Sequence, residues 1–244
     1  MLKVSISFIV LIFFAGATSA NNNVENIINK YYDARGGKEN IENIQSIKIS
    51  ADLTHFSADF TGGKKNAKFT YYSKGNDKYR LEVEEDGIIE IISATNGKNS
   101  WTSTKGGYGF VRGLFELLFA LQIRGPFLLD SYLGTLNFSD GSKVIEDGRE
   151  LHKIKMSTAN INEDESFYSY IDATNFLLYK VETDTVADKG FELLFMSDDY
   201  KEFDGIFFPM KIGIRSDLTK FVLRVKELKL NQEIDDAIFE KPEE

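Results

Sequence analysis

"KYRLEVEEDGIIEIISATNGKNSW", Lys78 to Trp101, decides the fold. Its segments "KYRLEVEE" and "IIEIISAT" are rich in β-branched and aromatic residues at a period of two. Asp86-Gly87 and Asn96-Gly97 interrupt them, and these residue types accept the left-handed backbone of a tight hairpin turn. Upstream, "IKISADL" and "AKFTYYSK" continue the pattern, with Gly75-Asn76 as a further turn. Consecutive hairpins predict an antiparallel meander from Ser46 to Thr104, which the three glycines of "TKGGYGF" then break. The second half repeats this alternation in "LHKIKM", "FYSYIDA", "FLLYKVET", "FELLFMS" and "FFPMKIGIRS", with turns expected at Asp140-Gly141, Asp147-Gly148 and Asp204-Gly205. In "KFVLRVKELKL", Phe221, Leu223 and Val225 share one face while Leu228 and Leu230 fall on the other, so a bulge is expected near Lys226-Glu227. The tail "NQEIDDAIFEKPEE" reads as one helical turn docking Ile238 and Phe239. The fold class is mainly β with α: a single curved antiparallel sheet of about ten strands.

Two helical stretches complete that reading. Val24, Ile27, Ile28 and Tyr31 make the stripe of an amphipathic helix, with Asn22 or Asn23 to cap it, Arg35 to complement its dipole and Gly36-Gly37 to end it. A short helical piece follows with Ile41 and Ile44. Ahead of these, Lys3, the eleven apolar-rich residues Val4 to Phe14 and the small Thr18-Ser19-Ala20 form a signal-peptide pattern over residues 1–20. That run is too short to span a bilayer. Residues 21–244 are then one domain with no compositional break.

Composition narrows the function. There is no cysteine, which excludes disulfides, thiolate metal sites, a cysteine nucleophile and a lipid-modified N-terminal cysteine. The net charge of −9 gives no footprint for nucleic acid and disfavours adhesion to anionic lipid. Acidity suits an exported, soluble, monomeric protein.

Between Val111 and Ile123, nine of thirteen residues are apolar. As a helix this stretch is about 20 Å long, too short for a membrane. Leaving four of its large side chains in water would cost on the order of 6–12 kcal/mol, as much as the stability of a typical domain. The stretch therefore faces something apolar. Pattern alone leaves two readings: a core helix filling the sheet's hollow face, or a lid over a cavity. A membrane-surface helix ranks third because its polar face has few Lys or Arg.

Chemistry-bearing motifs are missing. His55 and His152 are the two histidines, and neither has a nucleophile-elbow or triad setting; His152 shares parity with Ile154 and Met156 and should point inward. No HExxH, P-loop or GxGxxG occurs. The acidic clusters "EVEEDG", "SDDYKEFDG" and "EIDDAIFE" flank turns and lack calcium-loop spacing. No catalytic residue, cofactor or metal is expected.

Several segments together resemble the outer-membrane lipoprotein-sorting protein family: "YYDARGGKENIENIQSIKIS", "TNGKNSW", "GPFLLDSYLG", "EDGRELHKIKM", "YSYIDATNFLLYKVE", "FDGIFFPMKI" and "KLNQEIDDAIFEKP", in the family's order. The fold of that family is similar to the periplasmic lipoprotein carrier LolA, an incomplete antiparallel barrel plugged by helices. The resemblance implies that residues 110–133 supply the lid or plug, hinged at Gly106-Gly107 and Gly113. It implies a cavity or cover built from Trp101, Phe110, Leu114, Phe115, Leu118, Phe119 and Leu121. An arginine should latch the lid by bonding its backbone, with Arg80 the candidate. The implied function is a periplasmic carrier of acyl chains, of lipoproteins or another apolar ligand, working with an envelope membrane protein that donates or accepts cargo. The alternative is an envelope-lipid-sensing regulatory module on the same fold.

Overall fold

One tight form of two-residue hairpin turn needs two successive residues with positive φ. Asp86 and Gly87 (50° and 80°), Asp147 and Gly148 (49° and 77°), and Asp204 and Gly205 (49° and 80°) supply them. The computed structural model describes residues 15–56, 64–104, 122–127, 136–158, 167–183, 193–216 and 220–242. They form α1 (Ala15–Ala34), α2 (Lys38–Glu42), β1 (Ser46–Phe56), β2 (Lys64–Lys74), β3 (Lys78–Glu85), β4 (Ile88–Asn96) and β5 (Ser100–Thr104). After a helical turn at 122–124 come β6 (Leu136–Glu146), β7 (Arg149–Thr158), β8 (Phe167–Asp172), β9 (Leu178–Thr183), β10 (Leu193–Phe203), β11 (Ile206–Ser216) and β12 (Lys220–Leu230). A 3₁₀ turn, Asp236–Phe239, follows.

The described strands number twelve rather than about ten, in one open sheet ordered β5-β4-β3-β2-β1-β12-β11-β10-β9-β8-β7-β6. The chain meanders outward from the centre to the edge strand β5, crosses to the opposite edge at β6, and meanders back until β12 pairs with β1. Residues 105–135 therefore link the two free edges.

Register divides the faces. Val225, Ala51, Phe69, Val83 and Ile91 lie opposite one another across five strands, as do Ser169, Val181, Phe195, Ile214 and Phe221. These side chains are buried on one face, here called inner. The outer face carries a row of charged residues of both signs through Asp198, Lys211, Arg224, Asp52, Lys68 and Glu84. Within it, Lys211 pairs with Asp198 (3.2 Å) and Lys68 with Glu84 (3.0 Å).

The expected bulge in β12 is present: Ser50 pairs with Glu227 and Ala51 with Val225, leaving Lys226 extra. That slip returns Leu228 to the inner face with Leu223 and Val225, all three buried. Pro209 is tolerated because β11 pairs with β12 only from Lys211 to Arg215. Asp140-Gly141 is not the turn its sequence suggests. Both residues have positive φ (78° and 67°), but they form a bulge inside β6, where Asp140 pairs with Ile154 and Ser142 with Lys153.

The described part of helix α1 runs from Ala15, so the helix passes through Asn22 and Asn23 instead of starting at them. Its stripe of Val24, Ile27 and Tyr31 is buried against the inner face, and Asn23 Nδ2 donates to the Gly141 carbonyl at the β6 bulge (3.2 Å). Ile41 of α2 and Ile44 join the same core.

On the outer face, the 3₁₀ turn packs on β3 and β4 and buries Phe239. Asp235 caps it by accepting from Ala237 N (2.9 Å), while Lys74 and Lys78 both reach Asp236 (2.8 Å each). Among the described residues, no helix is long and apolar enough to cross a membrane.

Candidate ligand cavity and its cover

The C-terminal end of α1 places the decisive side chain. Arg35 follows Tyr31 by four residues and so continues the buried stripe of the helix. Its guanidinium is 1% exposed and donates in three directions. Nε bonds the Phe207 carbonyl (2.6 Å), Nη1 bonds Tyr31 Oη (2.8 Å), and Nη2 bonds the carbonyls of Gln122 (3.0 Å) and Ile123 (3.3 Å). Phe207 N returns a bond to the Arg35 carbonyl (3.0 Å), so α1 is tied to β11 through both backbone and side chain. Gly36 permits this approach. Its φ is +105°, and a Cβ there would lie 1.9 Å from the Gly205 carbonyl oxygen.

The Gln122 and Ile123 carbonyls belong to a helical turn that ends at Gly125, with φ +84°. Terminal carbonyls of a helix lack intrahelical partners, and a cation beside them is favourable. Arg35 supplies both the donors and the charge. Gly125 also brings the chain against Tyr31: a Cβ would sit 2.5 Å from Tyr31 Oη. Phe127 then packs edge-on against Tyr31 (5.3 Å between centroids), Tyr32 (6.3 Å) and Phe138 (5.5 Å). Residues 122–127 thus lie over the inner face, midway along the link between the two sheet edges.

Two further contacts hold this cover. Ser197 Oγ on β10 donates to Gln122 Oε1 (2.9 Å), and Arg124 Nη2 donates to the Asn76 side chain in the β2–β3 turn. Gln122 is 1% exposed, and its Nε2 has no hydrogen-bond partner among the described residues. Burial pushes the Tyr31 phenol up and the adjacent Arg35 charge opposes it, so the hydroxyl stays protonated. Under Ile123 and Arg124 lies a cavity of about 30 Å³, lined also by Ile44, Ile47, Tyr71 and Tyr79. It has room for water rather than an alkyl chain. A larger hollow of about 500 Å³ lies among Asp52, Thr54, Asn66, Lys68, Glu84, Asp86 and Arg224, the charged outer side of the sheet.

Among the residues expected to line or cover the cavity, Trp101 is on the outer face. It pairs with Ala94, which pairs with Arg80, whereas Leu81 and Ser93 on the alternate register face inward. Its indole N–H donates to the Phe239 carbonyl (3.1 Å), so it secures the C-terminal turn. Phe110, Leu114, Phe115, Leu118, Phe119 and Leu121 lie outside the described residues, as do Gly106, Gly107 and Gly113. Arg80 does not bond the 122–127 segment. It binds Glu82 (2.7 Å) and the Ile238 carbonyl (2.7 Å) and stacks over Trp101 at 5.7 Å, all on the outer face. The arginine that bonds the cover is Arg35. Sequence reasoning assigned Arg35 only to the helix dipole, and missed Gln122 and Ser197. The available signal was the place of Arg35 on the apolar stripe, where a charge must find buried partners.

The histidines are not a pair. His152 on β7 is buried and stacks on Phe176 (5.8 Å), whereas His55 on β1 stacks on Phe221 (4.6 Å), six places away in the strand order. Among the described residues no group of His, Asp or Glu is arranged to hold a metal.

No family profile matches the chain, and no curated protein does. Solved structures do. A LolA superfamily protein from Nitrosomonas europaea aligns with a TM-score of 0.60 at 16% identity, covering 89% of this chain and 97% of that one. A DUF1329 family protein from Desulfovibrio piger gives 0.57 at 12%, covering 86% and 95%. A structure described as an outer-membrane lipoprotein-sorting protein domain from Vibrio parahaemolyticus gives 0.56 at 10%, covering 89% and 96%. The open twelve-stranded sheet, with its helix and inner-face cover, has the LolA-like fold.

Proposed function

We propose that this protein is a non-enzymatic carrier for acyl-bearing cargo, exported by the 1–20 leader to the periplasm. The inner face of the sheet provides the binding surface, and residues 105–135 form a removable cover. The observation that carries this reading is the bonding of the Gln122 and Ile123 carbonyls by Arg35. An ordinary core segment is held by apolar packing, with its carbonyls bonded to neighbouring backbone. This one is gripped at its backbone by a buried cation on another element, a contact that can be made and broken as a unit. Phe110, Leu114, Phe115, Leu118, Phe119 and Leu121 belong to the underside of that cover in this reading. Cargo would then exchange with envelope membrane proteins at the sheet's open mouth.

The test is mass spectrometry of organic extracts from protein purified without detergent, paired with titration of the neutral apolar dye N-phenylnaphthylamine. Co-purified acyl species, or dye fluorescence saturating at one site and displaced by acyl esters, is the expected result. Absence of both overturns the reading.

A further inference from the structure

Arg35 brings a full positive charge into the interior, and every acceptor it meets among the described residues is neutral: three backbone carbonyls and one phenol. Among the described residues no carboxylate forms an ion pair with it. Buried charges are ordinarily paired, because desolvating an ion costs far more than neutral acceptors return. Nη1 donates once, to Tyr31, leaving its second N–H unused. Beside it, Gln122 presents a buried amide whose Nε2 donors are both unmet, although Ser197 fixes its oxygen. The neighbourhood is therefore rich in donors, positively charged and short of acceptors. Water would meet the free N–H groups and leave the charge uncompensated. An anionic oxygen group would answer both deficits, and a guanidinium fork matches the oxygens of a carboxylate or a phosphate.

We infer that the cargo is an amphiphile with an anionic oxygen head, a carboxylate or phosphate monoester, held between Arg35 and Gln122 with its tail along the apolar inner face of the sheet. The inference rests on the carrier reading and narrows it, since a purely neutral acyl ester offers only weak carbonyl acceptors. It also gives Arg35 a second role. When the carbonyls of 122 and 123 leave, Nη2 loses both its partners, and an anionic head in place supplies new ones.

Displacement of N-phenylnaphthylamine at pH 8 compares palmitate and 1-palmitoyl lysophosphatidic acid with methyl palmitate and 1-hexadecanol, all below their aggregation limits. At least one anionic ligand should displace the dye at a concentration tenfold or more below methyl palmitate. The tighter of the two anions identifies carboxylate or phosphate as the head. Gln122→Leu keeps the backbone carbonyl that Arg35 uses but removes the amide donors, and should cut the anion-to-ester preference at least threefold. Arg35→Lys, which keeps charge without the fork, should also reduce it. Equal displacement by anionic and neutral ligands overturns the head-group inference and leaves the carrier standing. A preference unchanged in both variants overturns the assignment to these residues. Failure of the dye and of every ligand to bind removes the carrier reading as well.

Discussion

Replacing Arg35 with methionine keeps most of the side-chain volume and removes every donor, which isolates the grip on the cover. Three backbone carbonyls, those of Phe207, Gln122 and Ile123, lose a charged donor, and Tyr31 loses its partner. Bonds to a charged group contribute about 1.5–3 kcal/mol each. Relief from burying an uncompensated guanidinium offsets part of that sum. The acceptors left behind are neutral and cost about 1–3 kcal/mol each when unsatisfied, so after that offset the net loss is on the order of 3–5 kcal/mol. At roughly 2–4 °C per kcal/mol for a domain of this size, the melting temperature should fall by about 6–20 °C. The loss should also be uneven. The backbone bond from Phe207 N to the Arg35 carbonyl survives, so α1 stays on β11 while residues 122–127 loosen. Thermal unfolding gives the global term and amide hydrogen exchange the local one, with the 122–127 amides exchanging faster than those of β10 and β11. Arg35→Lys should fall between, because an ammonium cannot reach all four acceptors in one plane. A methionine variant melting within about 2 °C of the parent, with exchange at 122–127 unchanged, would refute the claim that the guanidinium holds the cover.

Gly125→Ala should loosen the same segment without touching Arg35, since the new methyl collides with Tyr31 Oη at 2.5 Å on a backbone of φ +84°; accelerated exchange at 122–127 reports it, and parental exchange rates would count against the packing described. Burial first, then Lys143 and Lys30 against the opposing Glu150, hold His152 below its ordinary 6.5. Its contribution to stability is thus complete above that value and declines as pH falls toward the folded-state pKa, so His152→Phe should flatten the urea-midpoint slope between about pH 7 and pH 5. Lys74 and Lys78 hold the Asp236 carboxyl down to about 2, so its contribution is present above the usual carboxylate range and is lost as pH falls through about 2. Asp236→Asn should release the C-terminal turn at neutral pH, read as a red shift in Trp101 emission; an unshifted spectrum would show that the apolar seat of Phe239 suffices.

The strands were legible because their signals are local. Asp86-Gly87 and Asp204-Gly205 accept the paired positive-φ backbone of a two-residue hairpin turn, and the parity slip after Val225 announced the bulge at Lys226. Asp140-Gly141 shows where that logic stops. A bulge and a turn place the same positive-φ demand on the same dipeptide, and what distinguishes them is the partner strand, which local sequence does not name. Trp101 was misplaced for a related reason. A large aromatic on a strand signals a covered face, and here both faces are covered: the inner by α1 and 122–127, the outer by the C-terminal turn. Arg35 was visible as a charge on an apolar stripe, but its acceptors lie 87 and 88 residues away, beyond any periodicity.

Energetics set what such a cover can admit. Lifting residues 122–127 breaks the two Arg35 bonds to carbonyls, about 1.5–3 kcal/mol each, and exposes Phe127, about 1.5–3 kcal/mol. Opening this segment alone therefore costs about 5–9 kcal/mol. Each methylene buried in its place returns about 0.8 kcal/mol. Break-even falls at roughly six to eleven methylenes, so among neutral esters, whose heads make no ion pair with Arg35, methyl hexanoate should bind poorly and methyl palmitate well, with affinity rising steeply between them. In the Arg35→Met protein the bond term disappears, and the threshold should move to shorter chains even as the fold weakens. Calorimetric titration along a chain-length series in both proteins separates this from simple partitioning onto an exposed apolar surface. Partitioning would give the same rise per methylene in each, with no displacement of the threshold.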